Sequence, residues 1–557
     1  MKKFVAMILA LTMLLTLVAC GGNNSSNNSS TSTPGTSTPG TSAPSTPSTT
    51  PPPGEPAPVT PSELKNTDIY PLEGSHSLTV GVQSSVEKPA ESYYFQLFED
   101  IIGIDIEYQT VTNEQAPLLY AGDAAPDVLF GQYSLTAKQM NGFGEAGALI
   151  NFMDHLDKMP NLSRVYAENP RMFACVQNYE GAVYTLPQVV YTLTSAGNML
   201  YARTDYMAAV GWEKDPATIE EFTQYLRDLR DYYLPKDPQF IPFTPYSASH
   251  MKYGAQISQA LFPAFGELSE TGLTTSPDGK TVVAGFTTEQ YKLYVTWMNS
   301  LYEEGLLDPN AFTADSTTMK AFMNEGHTGV NSIMSLMKAE HFPSGNLDLT
   351  VLAPMSSQYD STATYIKPSL YKAYNVAIST SCKDLDAALA FVDAFYSTEE
   401  YPLNEEGTIW GISFWLGELG EKWEYREEGV SYNNMNGSTT GLNYSTAPYI
   451  GNFDLIPYVD DAAGFKAVCV KEKLLPVAID HVYTNELALT EDETDTYTDA
   501  WADIDPYVAQ MHAAFITGEA DINAEWDNFI KQLDALGLQD VLDAYQTALD
   551  RYNAALS

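Results

Sequence analysis

A long stretch of low complexity is the feature that most limits what this chain can fold into. Residues 21–64 are Asn, Ser, Thr, Pro and Gly with almost nothing else. A segment of this composition cannot bury enough apolar surface to offset the conformational entropy that ordering would cost. We therefore predict that residues 21–70 form a disordered linker of mixed flexible and extended character, and that the folded part begins near residue 77.

The segment before this linker is typical of an export signal. Lys2 and Lys3 precede an apolar run at residues 4–18, which is shorter than the roughly 20 residues that a membrane-spanning helix needs. The run ends in Leu17-Val18-Ala19-Cys20-Gly21, which resembles the bacterial lipobox, whose cysteine carries the lipid. We predict a lipoprotein signal peptide at residues 1–20, with Cys20 lipidated and the protein on the outer face of a cell membrane. The long tether favours a Gram-positive source.

Length and charge restrict the class of the folded part. About 480 residues follow the linker, which is too many for one core and predicts two lobes. The chain has 28 Lys and Arg against 71 Asp and Glu, a formal net charge of −43. Nucleic-acid phosphates and anionic lipids repel such a chain, so we expect no nucleic-acid partner and membrane contact through the lipid alone.

The cysteines and histidines give no metal or disulfide pattern. After Cys20 only Cys175, Cys382 and Cys469 remain, and their odd number and wide spacing leave one disulfide and free thiols equally open. The histidines are scattered without metal-ligand spacing. We therefore expect no metal and no cofactor.

Apolar spacing predicts an α/β fold. Residues 78–82 and 104–111 alternate as strands, residues 93–102 have helical spacing, and residues 128–130 follow Pro126 as a buried strand. Strand, helix and strand in this order indicate a parallel sheet.

The rest of the chain continues in the same mixed manner. A capping box at Thr218 and Glu221 begins a helix. Strands are predicted at residues 328–334, 350–354 and 374–379, and helices at the C-terminus. Trp212, Trp297 and Trp526 are assigned to packing.

Five segments, taken together, resemble the extracellular solute-binding proteins of bacterial ABC importers, of the carbohydrate-binding, family 1-like type. Gly122-Asp123-Ala124-Ala125-Pro126-Asp127 resembles the family's G-D-x-P-D element, with one extra residue before the proline. The other four segments are residues 180–187, 205–222, 301–309 and 515–552. Ala182 and Thr185 depart from the family pattern, and residues 405–411 match it only loosely.

The resemblance implies a two-lobed periplasmic-binding-protein-like fold (type 2), α/β in class, with hinge crossovers and a ligand cleft between the lobes. We place the N-terminal lobe at residues 77–190 plus 351–400 and the C-terminal lobe at 191–350 plus 401–557. The chain would cross between lobes near residues 187–191 and return near residues 352–354.

The implied function is that of the substrate-binding component of an ABC import system. It would capture an extracellular sugar or oligosaccharide by hinge closure, deliver it to membrane permease subunits, act as a monomer and catalyse nothing.

A sugar site needs aromatic platforms for C–H faces and polar partners for hydroxyls. We select such side chains where they follow predicted strands or lie in loops. The candidates are Gln132, Tyr133, Tyr191, Tyr246, His250, Trp410 and Trp415. Trp410 is favoured most, because a tryptophan between small residues in a loop is costly to expose without use.

Two other functions stay open. A peptide or amino-acid carrier would place Arg171 or Arg203 at the centre of its cleft, to hold an anionic group. A secreted glycoside hydrolase would need two positioned carboxylates, and no acidic cluster lies in a convincing catalytic loop.

Overall fold

The computed structural model describes residues 63–83, 90, 93–121, 125–131, 135–191, 199–332, 349–367, 369, 371–372, 375–397, 400–403, 407–410, 423–426, 429–432, 450–452 and 468–555. The predicted signal peptide, Cys20 and nearly all of the predicted linker lie outside these residues. Within them, every helix is too short or too polar to cross a bilayer.

Fifteen α-helices lie in the described part of the chain. They are α1 (Asn66–Ile69), α2 (Tyr93–Ile102), α3 (Ala116–Tyr120), α4 (Ala137–Glu145), α5 (Pro160–Glu168), α6 (Thr204–Ala209), α7 (Ile219–Tyr233), α8 (Ala248–Met251), α9 (Gln256–Leu261), α10 (Glu289–Glu303), α11 (Ser316–Asn324), α12 (Leu385–Ala394), α13 (Glu491–Thr517), α14 (Ile522–Ala535) and α15 (Leu538–Ala555).

The strands of the described residues are mostly short. They are β1 (His76–Gln83), β2 (Ile104–Val111), β3 (Val128–Gly131), β4 (Gln188–Tyr191), β5 (Tyr201–Arg203), β6 (Ile241–Thr244), β7 (Leu273–Thr275), β8 (Val282–Ala284), β9 (Thr328–Asn331), β10 (Leu349–Val351), β11 (Tyr365–Ile366), β12 (Tyr371–Lys372), β13 (Asn375–Ile378), β14 (Glu400–Leu403), β15 (Gly407–Trp410), β16 (Trp423–Arg426), β17 (Gly429–Tyr432), β18 (Ile450–Asn452) and β19 (Ala478–Ile479).

The first sheet has the order β13-β3-β1-β2. β1 runs parallel to β2 and β3, and β13 runs antiparallel to β3. In the edge strand β2, buried Ile104 and Ile106 alternate with exposed Asp105 and Glu107, whereas all of β3 is buried. We use "first lobe" for the core around this sheet, which draws on residues 70–189 and 371–396.

The second sheet has the order β10-β5-β9-β6, in which β6 and β9 are parallel and β5 is antiparallel to both of its neighbours. Its core draws on residues 200–355 and 487–549, and we use "second lobe" for it. Trp526 is buried in this core, and Trp297 and Trp212 pack against the core. The indole N–H of Trp297 donates to Thr223 Oγ1 at 2.9 Å, which satisfies its polar atom. The assignment of these tryptophans to packing is confirmed.

The position of β10 differs from the lobe boundary placed at residue 351. Val351 pairs with Tyr201 of the second sheet, and Leu352 and Met355 pack in the second core. The described chain rejoins the first core at Tyr371. The reason is the ladder of β10 with β5, which keeps this segment at the second sheet.

A small third sheet has the order β12-β4-β18. β4 pairs antiparallel with β12 and parallel with β18. Val189 of β4 and Tyr371 of β12 belong to the first core, and β4 lies at the place predicted for the first crossing.

Local signals set several helix ends. Thr218 caps α7 by accepting a hydrogen bond from Glu221 N–H at 3.1 Å, as the predicted capping box requires. The Glu221 carboxylate accepts from Ala217 N–H at 2.8 Å, one residue earlier than in a standard box. The long helix α13, which sequence spacing did not predict, begins at a full capping box between Thr490 and Glu493.

Cys175, Cys382 and Cys469 are free thiols in the structure, which decides between the two possibilities that their number left open. Burial raises the pKa of both the Cys175 and the Cys382 thiol to about 12. Both therefore stay protonated and poorly reactive at neutral pH.

Candidate functional site

One edge of the second sheet brings polar side chains together. β6, β9 and β10 end at this edge, and β5 begins there, so the ladder aligns Val351, Tyr201, Asn331 and Thr244 in a row across the sheet. Ligands of open α/β sheets bind beyond the carboxyl ends of the strands. We define this row, with the residues that follow its strands, as the carboxyl edge of the second lobe.

Tyr246, His250 and Ser332 form a cluster at the β6 and β9 end of this edge. Ser332 directly follows β9, and its Oγ lies 2.7 Å from His250 Nδ1. The same Oγ accepts a hydrogen bond from Tyr246 N–H at 3.1 Å. The Tyr246 and His250 rings meet edge to face at 5.3 Å between centroids. Two of the predicted site residues, Tyr246 and His250, are therefore neighbours.

The electrostatics of this cluster are those of a neutral site. His250 is 9% exposed, and burial holds the pKa of its imidazole below the usual value. Thr244, the last residue of β6, is fully buried, and its Oγ1 has no hydrogen-bond partner in the described part of the protein. Buried polar atoms without a partner are uncommon in folded proteins.

The other end of the edge has a cavity of mixed polar and apolar lining. Its lining residues precede β5, follow β10, or come from α9, the chain at β11 and Leu474. They are Met199, Leu200, Gln259, Ala260, Leu352, Ala353, Pro354, Met355, Thr364, Tyr365 and Leu474. Gln259 Nε2 donates to Glu270 Oε1 at 2.7 Å. Burial raises the pKa of Glu270 to about 7, and the Gln259 bond opposes this shift.

Sequence reasoning missed Ser332, Thr244 and the cavity residues. The strand predicted at residues 328–334 would have placed Ser332 inside a ladder. β9 ends at Asn331, so Ser332 lies just beyond its carboxyl end, while residues 333 and 334 lie outside the described part. The sequence signal that could have identified Ser332 is a polar residue close to the predicted end of a strand.

Trp410 was predicted to lie in a loop, and this is wrong. It is the last residue of β15 and pairs with Glu400 of β14 in an antiparallel hairpin. Thr408, Ile409 and Trp410 are residue types that strands favour. β14 lies against α1 and α2, so this hairpin adjoins the first lobe.

The other candidates are not brought together by the described residues. Tyr191 is the last residue of β4 and pairs with Asn452, and only its backbone is described. Gln132, Tyr133 and Trp415 lie outside the described residues. Their roles stay predictions.

The two arginines that would anchor an anionic ligand are both engaged within the protein. Arg203 donates to both carboxylate oxygens of Asp205, at 3.0 and 2.6 Å. Arg171 donates to Glu486 and lies over the ring of Tyr552. The described residues likewise hold no group of three or more His, Cys, Asp or Glu arranged around a metal.

Two α/β lobes, each with its own open sheet and core, define the two-lobed class of solute-binding folds. The chain is 24% identical over 524 residues to the fructooligosaccharide ABC transporter substrate-binding protein FusA of Streptococcus pneumoniae, covering 87% of this chain and 92% of that protein. No protein-family model matches the chain.

Solved structures share this fold. FusA in complex with kestose matches with a TM-score of 0.65 and 21% identity, over 86% of this chain and all of that one. An HMO-binding, ABC-transporter-associated solute-binding protein from Bifidobacterium longum infantis matches with a TM-score of 0.69 and 19% identity, over 86% of this chain and 99% of that one. The predicted two-lobed fold is confirmed, and the chain is a homologue of an ABC-transporter substrate-binding protein. These relatives are binding proteins and not enzymes.

Proposed function

We propose that this protein is the substrate-binding component of an ABC importer and that it captures an oligosaccharide outside the cell. The observation that carries the proposal is its similarity to FusA over nearly the whole length of both chains. The carboxyl edge of the second lobe supports it, because aromatic and hydroxyl groups converge there, as a sugar requires.

Capture would proceed by hinge closure. The lobes would contact the solute together only when closed, so the solute would shift the population toward the closed state. Residues 187–191 and the chain between Met355 and Tyr371 would serve as crossings. The small sheet β12-β4-β18 supports the first of these. We also propose that Tyr191, Trp410, Gln132, Tyr133 and Trp415 contribute to the site.

The protein would act from the outer face of the cell membrane. Cys20, lipidated after removal of residues 1–20, would provide the anchor, and residues 21–70 would be the tether. Membrane permease subunits would receive the solute from the closed form.

A ligand panel tests this function. The purified protein, without residues 1–20, is mixed with kestose, nystose, milk oligosaccharides, alginate oligosaccharides and dipeptides, and thermal unfolding is followed. A ligand at about 100 times its Kd stabilises the folded state by about 2.7 kcal/mol, which gives a clear rise in Tm. We expect such a rise with an oligosaccharide and no product after overnight incubation.

The outcomes separate the alternatives. A rise with dipeptides alone would indicate a peptide carrier, and cleavage of a glycan would indicate a hydrolase. Lipidation has its own test, since Cys20→Ser should release the protein from the membrane fraction of a Gram-positive host.

A further inference from the structure

We propose that His250 is a specificity-determining residue, which offers a neutral N–H donor to a hydroxyl or ring oxygen of an uncharged sugar. The inference rests on the proposed function, because it names the chemical class of solute that the carboxyl edge of the second lobe would bind.

The first step concerns the tautomer of His250. The proposed role assigns the Ser332 hydroxyl proton to His250 Nδ1, which lies 2.7 Å from Ser332 Oγ, while the same oxygen accepts the Tyr246 N–H at 3.1 Å. A hydroxyl that donates to Nδ1 makes that nitrogen the acceptor and places the ring proton on Nε2. Nε2 has no hydrogen-bond partner among the described residues. The imidazole therefore has one N–H, on Nε2, that can donate to a bound sugar.

The second step concerns its charge. Burial alone lowers the pKa of His250, and neither α8 nor the strands β6 and β9 present a charged group that shifts it. The ring of Tyr246 packs edge to face against it. An anionic solute bound here would meet a neutral donor and a protein of net charge −43.

The third step concerns a cation that contacts this edge. Lys473 Nζ donates to Asp215 Oδ2, to Thr350 Oγ1 and to the carbonyl oxygen of Val351. An ammonium has three donors, so all of them are used within the protein. Lys473 therefore offers no free donor to a carboxylate at the Val351 end of this edge.

Two isosteric variants test the role of His250. In His250→Asn the amide oxygen takes the position of Nδ1 and keeps the bond from Ser332, but no donor reaches the position of Nε2. In His250→Gln an amide N–H reaches that position. The probe is the oligosaccharide that binds wild type most tightly in isothermal titration calorimetry, chosen from kestose, nystose, milk oligosaccharides and alginate trisaccharide.

We expect the probe to be a neutral sugar and its Kd to rise about tenfold in His250→Asn and less than threefold in His250→Gln. His327→Asn is the matched control, because His327 lies in the same lobe, where it pairs with Asp237 in a partly buried contact. The Kd of this variant for the probe should equal that of wild type. The Kd of wild type should vary less than about twofold between about pH 6 and pH 8.

Each other result overturns the inference in a distinct way. Equal binding by wild type and His250→Asn, or tightest binding of alginate trisaccharide, would contradict the role of His250 and leave the import function standing. Affinity that rises as His250 gains a proton would show a cationic role. If no oligosaccharide binds to wild type, the proposed function itself fails.

Discussion

Two ion pairs join the first lobe to the second lobe, and they differ in burial. Arg171 pairs with Glu486 at side-chain exposures of 30% and 2%, whereas Lys138 and Asp495 pair at 50% and 63%. The buried pair has further partners: Ser369 Oγ donates to Glu486 Oε1 at 2.8 Å, and Arg171 lies 5.7 Å from the centroid of the Tyr552 ring.

Burial decides which of the two contacts stabilises the arrangement of the lobes. Water screens the exposed pair, so it contributes little to stability. Removing either partner of the buried pair should destabilise the fold strongly, because the remaining charge would be poorly hydrated. Ser369 lies just before β12 of the small third sheet, so the buried contact is next to a proposed crossing.

The largest effect is expected from Glu486→Ala. The change leaves Arg171 partly buried without its carboxylate and removes the acceptor of Ser369, so the free energy of unfolding should fall by about 3 kcal/mol. Urea unfolding at pH 7 measures it. A loss no greater than that of Asp495→Ala would show that burial does not separate the two pairs.

Acid should weaken the buried contact and spare the exposed one. Burial, then the charge of Arg171, lowers the pKa of His481 to about 4, and the His481 carbonyl accepts from Arg171 at 3.4 Å. The unfolded state takes up this proton near pH 6.5 and the folded state near pH 4, so stability falls as pH drops between these values.

The variant His481→Gln should remove this part of the pH dependence, roughly 2 kcal/mol after allowance for partial exposure. Urea unfolding of both proteins at pH 7 and pH 4.5 gives the difference. Parallel pH profiles would contradict the assignment to His481.

Arg171→Lys is expected to have an intermediate effect. Lysine keeps the charge but loses the planar group that donates to Glu486 and lies over Tyr552. The free energy of unfolding should therefore fall by about 1 kcal/mol. A loss as large as in Glu486→Ala would mean that geometry, and not charge, dominates the contact.

The smallest effect is expected from Lys138→Ala. Its pair with Asp495 is exposed on both sides, so the free energy of unfolding should change by less than about 0.5 kcal/mol. Adding salt should remove even that difference, because exposed charges are screened. A change above about 1 kcal/mol, insensitive to salt, would remove the distinction between the two contacts.

The first sheet and several helices were predictable because their signals are local. Strands β1 and β2 and helix α2 appear where apolar spacing placed them, and Thr218 caps α7 as its sequence indicates. The predictions failed where pairing with a distant strand decides the structure. Trp410 pairs with Glu400 in a hairpin, and Val351 stays with the second sheet because it pairs with Tyr201.

The candidate site could likewise be predicted only in part from the sequence. Tyr246 and His250 could be proposed from a loop that follows a strand, since both lie within a few residues of β6. Ser332 could not, because it is 82 residues from His250 along the chain and comes near only through the β6–β9 ladder.

Residue types and short-range spacing are enough to predict the low-complexity segment, the α/β class and the two-lobed family resemblance. Three features needed the folded chain: Ser332 beside His250, the three hydrogen bonds of Lys473, and Glu486 buried against Arg171. Such contacts join residues far apart in the chain, and their strength depends on burial, which no local pattern records.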